Sequence, residues 1–350
     1  MSAYRVSDSL NTIINGETTM KITVNRRMFA AATLAALALA PTLSLAQDAA
    51  ATYPSKTVTL IVPFPPGGTT DVTARQIAAA LTKSLGQTFI VENKAGANGN
   101  IGSAQVARSA PDGYTLLMSG VGSNAVNHGL YANMPYDSKK DFAHVTLATT
   151  GPNVLIVNPD FPAKTLKELV DLVKANPGKY NYASAGNGAS GHMAMELLKT
   201  ITGMKIDHVP YKGGAPALQD VMAGVVPMMF TNQDLAFAQT KGGKVRLIGV
   251  ADLQRNPAMP DAPTIAEQGY PGFSAVSWNA ISAPAGTPKA IVDKLQKHIK
   301  DALHAPELKD KLLVNGFVPQ GIPADEFHKF VVAEVDKWTK VAQDSGAKVD

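Results

Sequence analysis

The strongest constraint on this 350-residue chain is an alternation: short apolar runs, each followed by a segment whose apolar residues recur at helical spacing. Residues 58–63 (VTLIVP) form a nearly unbroken apolar run, as in a strand buried on both faces. In residues 70–84, Val72, Ile77, Ala78 and Leu81 share one helical face. The pattern predicts strands at 89–92 and 114–119 around a helix at 103–108. It resumes with strands at 154–157, 180–184, 206–209 and 246–251, separated by helices at 165–176, 192–202 and 215–223. Such alternation implies an α/β protein, with parallel sheets covered by helices on both faces. Residues 291–303, 307–313 and 325–343 then read as three helices with little strand between them. At roughly 100–200 residues per domain, the length favours two three-layer α/β domains.

Composition removes several function classes. Cysteine is absent, which excludes disulfide scaffolds, thiolate zinc sites, iron–sulfur clusters and cysteine nucleophiles. The seven histidines include no H-x-H or H-x-x-x-H pair, so no metal site is expected. No G-x-S-x-G elbow is present, and no catalytic residue is assigned. The excess of 32 Lys+Arg over 28 Asp+Glu contains no basic run longer than two, so no nucleic-acid partner is expected.

The N-terminus reads as an export signal. A basic stretch from Met20-Lys21 to Arg26-Arg27 precedes an apolar run at 28–39 and small residues leading to Ala46. The apolar run is too short for a membrane span. Residues 1–46 are therefore expected to be a cleavable signal region, with Met20 as an alternative start and the periplasm as destination. Without that region's four basic and two acidic side chains, the chain from Gln47 carries a net charge of +2.

Ligands of open α/β sheets bind at the carboxyl ends of strands, and here those loops are rich in Gly, Ser and Asn. The first holds Phe64, Pro66, Gly67, Gly68, Thr69 and Asp71. Its prolines stiffen the entry, its glycines admit close approach, and Thr69 or Thr70 is placed to cap a helix whose first amides favour an anion. The second runs from Ser184 through Gly186, Asn187 and Gly188 to His192. Gly186, Gly188 and Gly191 spell G-x-G-x-x-G, with Asp207 21 residues after Gly186. That pattern allows a dinucleotide, and hence an exported nicotinamide-dependent oxidoreductase, or a smaller anion on the same helix start. Two further loops offer Ser123 and Tyr211, and Asp234 is a carboxylate whose pairing the sequence does not reveal.

Taken together these blocks resemble the tripartite tricarboxylate transporter substrate-binding proteins, the TctC or Bug receptors. VTLIVPFPPGGTTDVTAR (58–75), VENKAGANGNIG (91–102), APDGYTLL (110–117), YASAGNGASGH (182–192), HVPYKGGAPAL (208–218), PDAPTIAEQG (260–269) and APAGTP (283–288) follow in the family's order. Ser190 stands one place later than the serine common in the family's binding block, and Asn279-Ala280 follow Trp278 where glycine is frequent. The resemblance implies a type II Venus-flytrap protein of two α/β lobes, residues 47–150 plus 276–350 and residues 151–275. Two crossing strands, within 147–159 and 273–283, would join them, with Trp278 walling the cleft or packing the hinge. It implies a small carboxylate held at the first two loops, with Ser123, Tyr211 and Asp234 completing the set, and neither cofactor nor enzymatic activity. The implied partners are two membrane permease subunits or, for an orphan receptor, a sensor protein, and the chain is expected to be a monomer.

Overall fold

The computed structural model describes residues 51–349. The signal region expected at 1–46 lies outside the described residues.

The chain begins with β1 (Val58–Val62), α1 (Thr69–Leu85), β2 (Phe89–Asn93), α2 (Asn100–Ala107) and β3 (Thr115–Gly120). β1 lies between β2 and β3 and is parallel to both, as expected for a buried VTLIV run covered by helices. A π-helical segment, Gly122–Val126, continues into α3 (Asn127–Leu130), and β4 (Phe142–Val157) follows.

The second set comprises α4 (Leu166–Ala175), β5 (Asn181–Ser184), α5 (Ser190–Thr202), β6 (Asp207–Pro210), α6 (Gly214–Met222), β7 (Met228–Asn232), α7 (Gln233–Lys241) and β8 (Arg246–Val250). The chain returns through β9 (Val276–Pro284) and ends with α8 (Lys289–His304), α9 (Pro306–Val314), β10 (Val318–Pro319) and α10 (Ala324–Ser345).

The strands run in the order β2-β1-β3-β9-β4-β7-β5-β6, with β8 and β10 also pairing to β4. β4 is the strand that both lobes own. Its residues 142–152 pair antiparallel with β9, and residues 153–157 pair with β7 and β8. At about 3.3 Å per residue, its 16 residues reach about 50 Å, long enough to cross from one sheet to the other.

The apolar pattern found only the last four residues of β4, while the family resemblance placed a crossing strand within 147–159. The preceding FAHVTLATTGP carries His144, Thr146 and Thr149, which look polar but are buried, and Gly151-Pro152 reads as a break. The sheets are also not wholly parallel: β9 runs antiparallel to β3 and β4, because a chain that crosses to the second lobe must cross back. β7 and α7 went unpredicted, since MMFTN is too short to separate from its flanks by pattern.

Two of the hydrophobic cores carry most of this arrangement. In the first, Ile77 and Leu81 of α1 and Leu295 and Ile299 of α8 pack with Leu60, Leu116 and Ile281 of the sheet, all essentially without solvent exposure. The second gathers Leu155, Tyr182, Met195 and Phe230 with Trp278 of β9 and Phe327, Val331 and Trp338 of α10. α10 packs against α3, α5 and β4, so one long helix touches elements of both lobes. Trp278 is hinge packing: it is buried, sits edge-on to Phe327 and Phe330, and its Nε1 donates to Glu334 at 2.9 Å.

Candidate ligand-binding cleft

Four helices, α1, α5, α6 and α7, start just after the carboxyl ends of β1, β5, β6 and β7, and none has a side-chain cap. The first amides of a helix have no intrahelical acceptor and carry the positive end of its dipole. The expected cap at Thr69 or Thr70 is absent: Gly68 is the N-cap, with an extended backbone, and Thr69 opens the helix. The Thr69 hydroxyl instead donates to Asp234 Oδ2 at 2.7 Å, joining the head of α1 to the head of α7 across the two lobes.

In the first loop Pro66, Gly67 and Gly68 are exposed and Phe64 is half-buried. Gly67 adopts a φ of 81°, a left-handed turn that glycine accommodates without strain. Asp71 is 3% exposed and its carboxylate is fully engaged. It accepts from the Gly67 amide at 2.9 Å, from Arg75 Nε at 3.1 Å and from Asn93 Nδ2 at 2.9 Å. Burial works against its ionisation, but the hydrogen bonds from Arg75, Gly67 and Asn93 prevail and hold the carboxyl below its ordinary value. Its charge therefore fixes the loop.

The second loop rests on a stack of rings. His192 lies over His208 at 4.1 Å, and His208 over Tyr182 at 4.9 Å. The Ser184 hydroxyl meets His208 Nε2 at 2.6 Å and accepts from the Gly186 amide at 3.1 Å. The Gly188 amide donates to His192 Nδ1 at 3.1 Å, which places the imidazole proton on Nε2. Below, Glu196 accepts from Tyr182 at 2.5 Å and from Lys199 at 2.8 Å. Burial, aided by Lys199, pushes His192 down to about 4. Burial, His192 and Lys199 push His208 down to about 3 against the opposing pull of Glu196. Both rings are neutral at physiological pH, so His192 supports the loop as a neutral acceptor and brings no positive charge to it.

The other predicted residues are distributed around these two loops. Asn187 is exposed at the loop tip. Tyr211 lies beside the loop, with its amide on the Ser184 carbonyl at 3.0 Å and its hydroxyl on Asp220 at 2.6 Å. Ser123 is fully buried inside the π-helical segment and its hydroxyl faces Gly120.

Sequence reasoning missed the residues that join the lobes. Ala97 and Asn98 both have left-handed backbones, φ 46° and 49°, and form a tip on the first lobe. A Cβ on Gly188 would lie 2.5 Å from Asn98 Nδ2 and 2.8 Å from Leu130, so this glycine is required by close approach. Within the second lobe, the Ser190 hydroxyl lies 3.0 Å from the side-chain oxygens of both Asn153 of β4 and Asn232 at the end of β7, so its proton is shared between them. The only sequence sign of the tip was the run Asn98-Gly99-Asn100, a turn signal among the glycines of its block.

The dinucleotide reading meets two geometric obstacles. Asp207 pairs with Asn181 at the start of β5, whereas the glycines follow Ser184 at its far end, so the acidic residue is a strand length from the loop. A Cβ on Gly191 would lie 2.1 Å from the Phe230 carbonyl, so that glycine serves helix–strand packing. Among the described residues, no three His, Cys, Asp or Glu side chains are grouped to hold a metal ion.

The description "Tripartite tricarboxylate transporter family receptor" matches residues 73–347. Protein BugT of Bordetella pertussis is 38% identical over 299 residues, covering 85% of this chain and 92% of BugT. The R. palustris protein Rpa4515, solved with adipate, superposes with a TM-score of 0.80 at 37% identity, over 85% of this chain and all of that one. MatC from Rhodopseudomonas palustris with bound malate gives 0.77 at 34% identity, over 83% and 99%. With likeness of this extent over the same two-lobed fold, the chain belongs to the tripartite tricarboxylate transporter receptor family, the TctC or Bug solute-binding proteins.

Proposed function

We propose that the mature chain is a periplasmic receptor that captures a small carboxylate and delivers it to the membrane permease of a tripartite tricarboxylate-type transporter. The observation that carries this reading is the set of uncapped helix starts at the ends of β1, β5, β6 and β7. These offer backbone amides to an anion, with Lys212 before the α6 start as the single cationic side chain in the loops that precede them, which suits one or two carboxylates better than three. Family relatives solved with adipate and with malate support the same ligand class.

The lobes are residues 47–150 plus 276–350 and residues 151–275, a division supported by the sharing of β4 and the return through β9. The receptor works as a monomer without a cofactor and without catalysing a reaction. Ligand binding selects the closed arrangement by its greater affinity for it. An orphan receptor would present the same closed face to a sensor protein. Within the site, the helix starts at Thr69 and Ser190 hold the anion, and Asp71, Ser184 and His192 set the loops that present them.

A thermal-shift screen of the chain from Gln47 onward against carboxylates and NAD tests this function. A ligand at about a hundred times its dissociation constant is expected to add about 2.7 kcal/mol. A shift with NAD and none with any carboxylate would overturn the receptor reading. Titration calorimetry of Ser184→Ala tests the loop: affinity is expected to fall about tenfold, because Gly186 loses its anchor, while the fold persists.

A further inference from the structure

Two neighbouring side chains at the head of α7, Gln233 buried and Asp234 partly exposed, hold buried polar atoms with unused hydrogen-bonding capacity. Gln233 has neither amide atom partnered, and Asp234 has an unpartnered Oδ1. Gln233 is wedged against the crossing strand, since a Cβ on Gly151 would lie 2.3 Å from its Nε2. Asp234 faces the first loop instead, with Oδ2 on the Thr69 hydroxyl at 2.7 Å.

This places a carboxylate beside the helix start that, on the receptor reading above, holds the ligand's own carboxylate. Burial favours the protonated form of Asp234, and the bond from Thr69, with the backbone amides of Leu235 and of Asp234 itself, favours the ionised form. A ligand carboxylate on the amides of Thr69 and Thr70 would bring two acidic groups close together, with one buried Asp234 oxygen still lacking a donor. A hydroxyl or ammonium group on the carbon next to the ligand's carboxylate meets that oxygen, and an ammonium also offsets the charge. A plain methylene there leaves the oxygen desolvated and unpaired, the situation in which polar sites discriminate most strongly.

We propose that Asp234 is a specificity-determining residue that selects acids bearing a hydroxyl or ammonium donor beside the carboxylate over the corresponding plain acids. The inference rests on the receptor reading, and its test separates the two. Wild type and Asp234→Asn, each checked for folding by circular dichroism, are titrated calorimetrically with three matched sets: succinate, malate and aspartate; glutarate, 2-hydroxyglutarate and glutamate; phenylacetate, mandelate and phenylglycine. In any set that binds, a donor-bearing member is expected to bind wild type at least about tenfold more tightly than the plain acid. Asp234→Asn keeps an oxygen for Thr69 but presents an amide NH2, and is expected to narrow that gap to within about threefold. Equal binding of plain and donor-bearing acids by wild type would overturn the inference alone. So would a uniform loss across a set in Asp234→Asn, which would make the residue only a contact between lobes. Binding of no acid in any set would overturn the carboxylate reading itself, and this inference with it.

Discussion

The two glycine-rich loops, residues 63–69 and 184–192, are held in place by opposite means. Residues 63–69 are held from the side, by prolines in the chain and by a charged carboxylate that ties Gly67 to Arg75 and Asn93. Residues 184–192 are held from beneath, by neutral rings stacked over a buried glutamate and by glycines that let neighbouring backbone approach. An exposed loop can be fixed by charge because water solvates what remains unpaired. A loop packed against a core must be fixed by shape and by complete hydrogen bonding, since an unpaired group there costs about 1–3 kcal/mol.

The largest expected contrast comes from adding one methyl group to each loop. Gly191→Ala forces a carbon to within 2.1 Å of the Phe230 carbonyl. It is expected to cost about 3 kcal/mol or more, read as a fall in chemical-denaturation midpoint. Gly68→Ala has an ordinary backbone and its nearest neighbour at 3.7 Å. Its expected cost is within about 0.5 kcal/mol, as for a surface change. Equal losses would mean that both loops are packed alike.

Acid separates the loops next. His192 and His208 have folded values of about 4 and about 3, below the unfolded value near 6.5. The unfolded chain therefore takes up protons first, and stability present above about pH 6.5 is lost as the pH falls towards 4. For His192 the loss is on the order of 3 kcal/mol. The buried His144 in the first sheet, also lowered to about 4 by burial and by His328, adds to the same descent. Asp71 is lowered too, but as an acid: its contribution is complete above about pH 4 and disappears only below that. Denaturant melts from pH 8 to pH 3 are expected to show His208→Asn flattening the upper part of the profile and Asp71→Asn only the lower part.

The smallest effect concerns the tip that meets the second loop. Asn98→Ala removes the hydrogen bond to Asn127 at 2.7 Å and leaves a left-handed alanine. Asn98→Gly removes the same bond without the strain, so it is expected to be about 1 kcal/mol more stable than the alanine variant. Identical melting curves for the two would show that the backbone at the tip relaxes.

These contrasts also explain what was readable from sequence. β1, α1 and α4 declare themselves through unbroken apolar runs or a single helical face, and their predicted limits fall within a residue or two of the observed ones. The glycines of both loops were visible because turns and uncapped helix starts have few alternatives in residue type. Pattern alone missed residues 142–153 of β4, because a strand passing between lobes is lined with buried threonines and a histidine that find partners only in the folded chain. The roles of His208, Asn98 and Asp234 depend on contacts between residues far apart in sequence, such as the 165-residue separation of Thr69 and Asp234. No local pattern records a contact of that range.

The glutamate that serves Trp278 also serves Trp338, whose Nε1 donates to the same Glu334 oxygen at 2.9 Å. These are the chain's two tryptophans. Their emission therefore originates from one small spot, with both rings buried, where the returning strand meets the long terminal helix. The molecule carries an intrinsic optical label where its returning strand meets its terminal helix, and both of its indoles report from that one place.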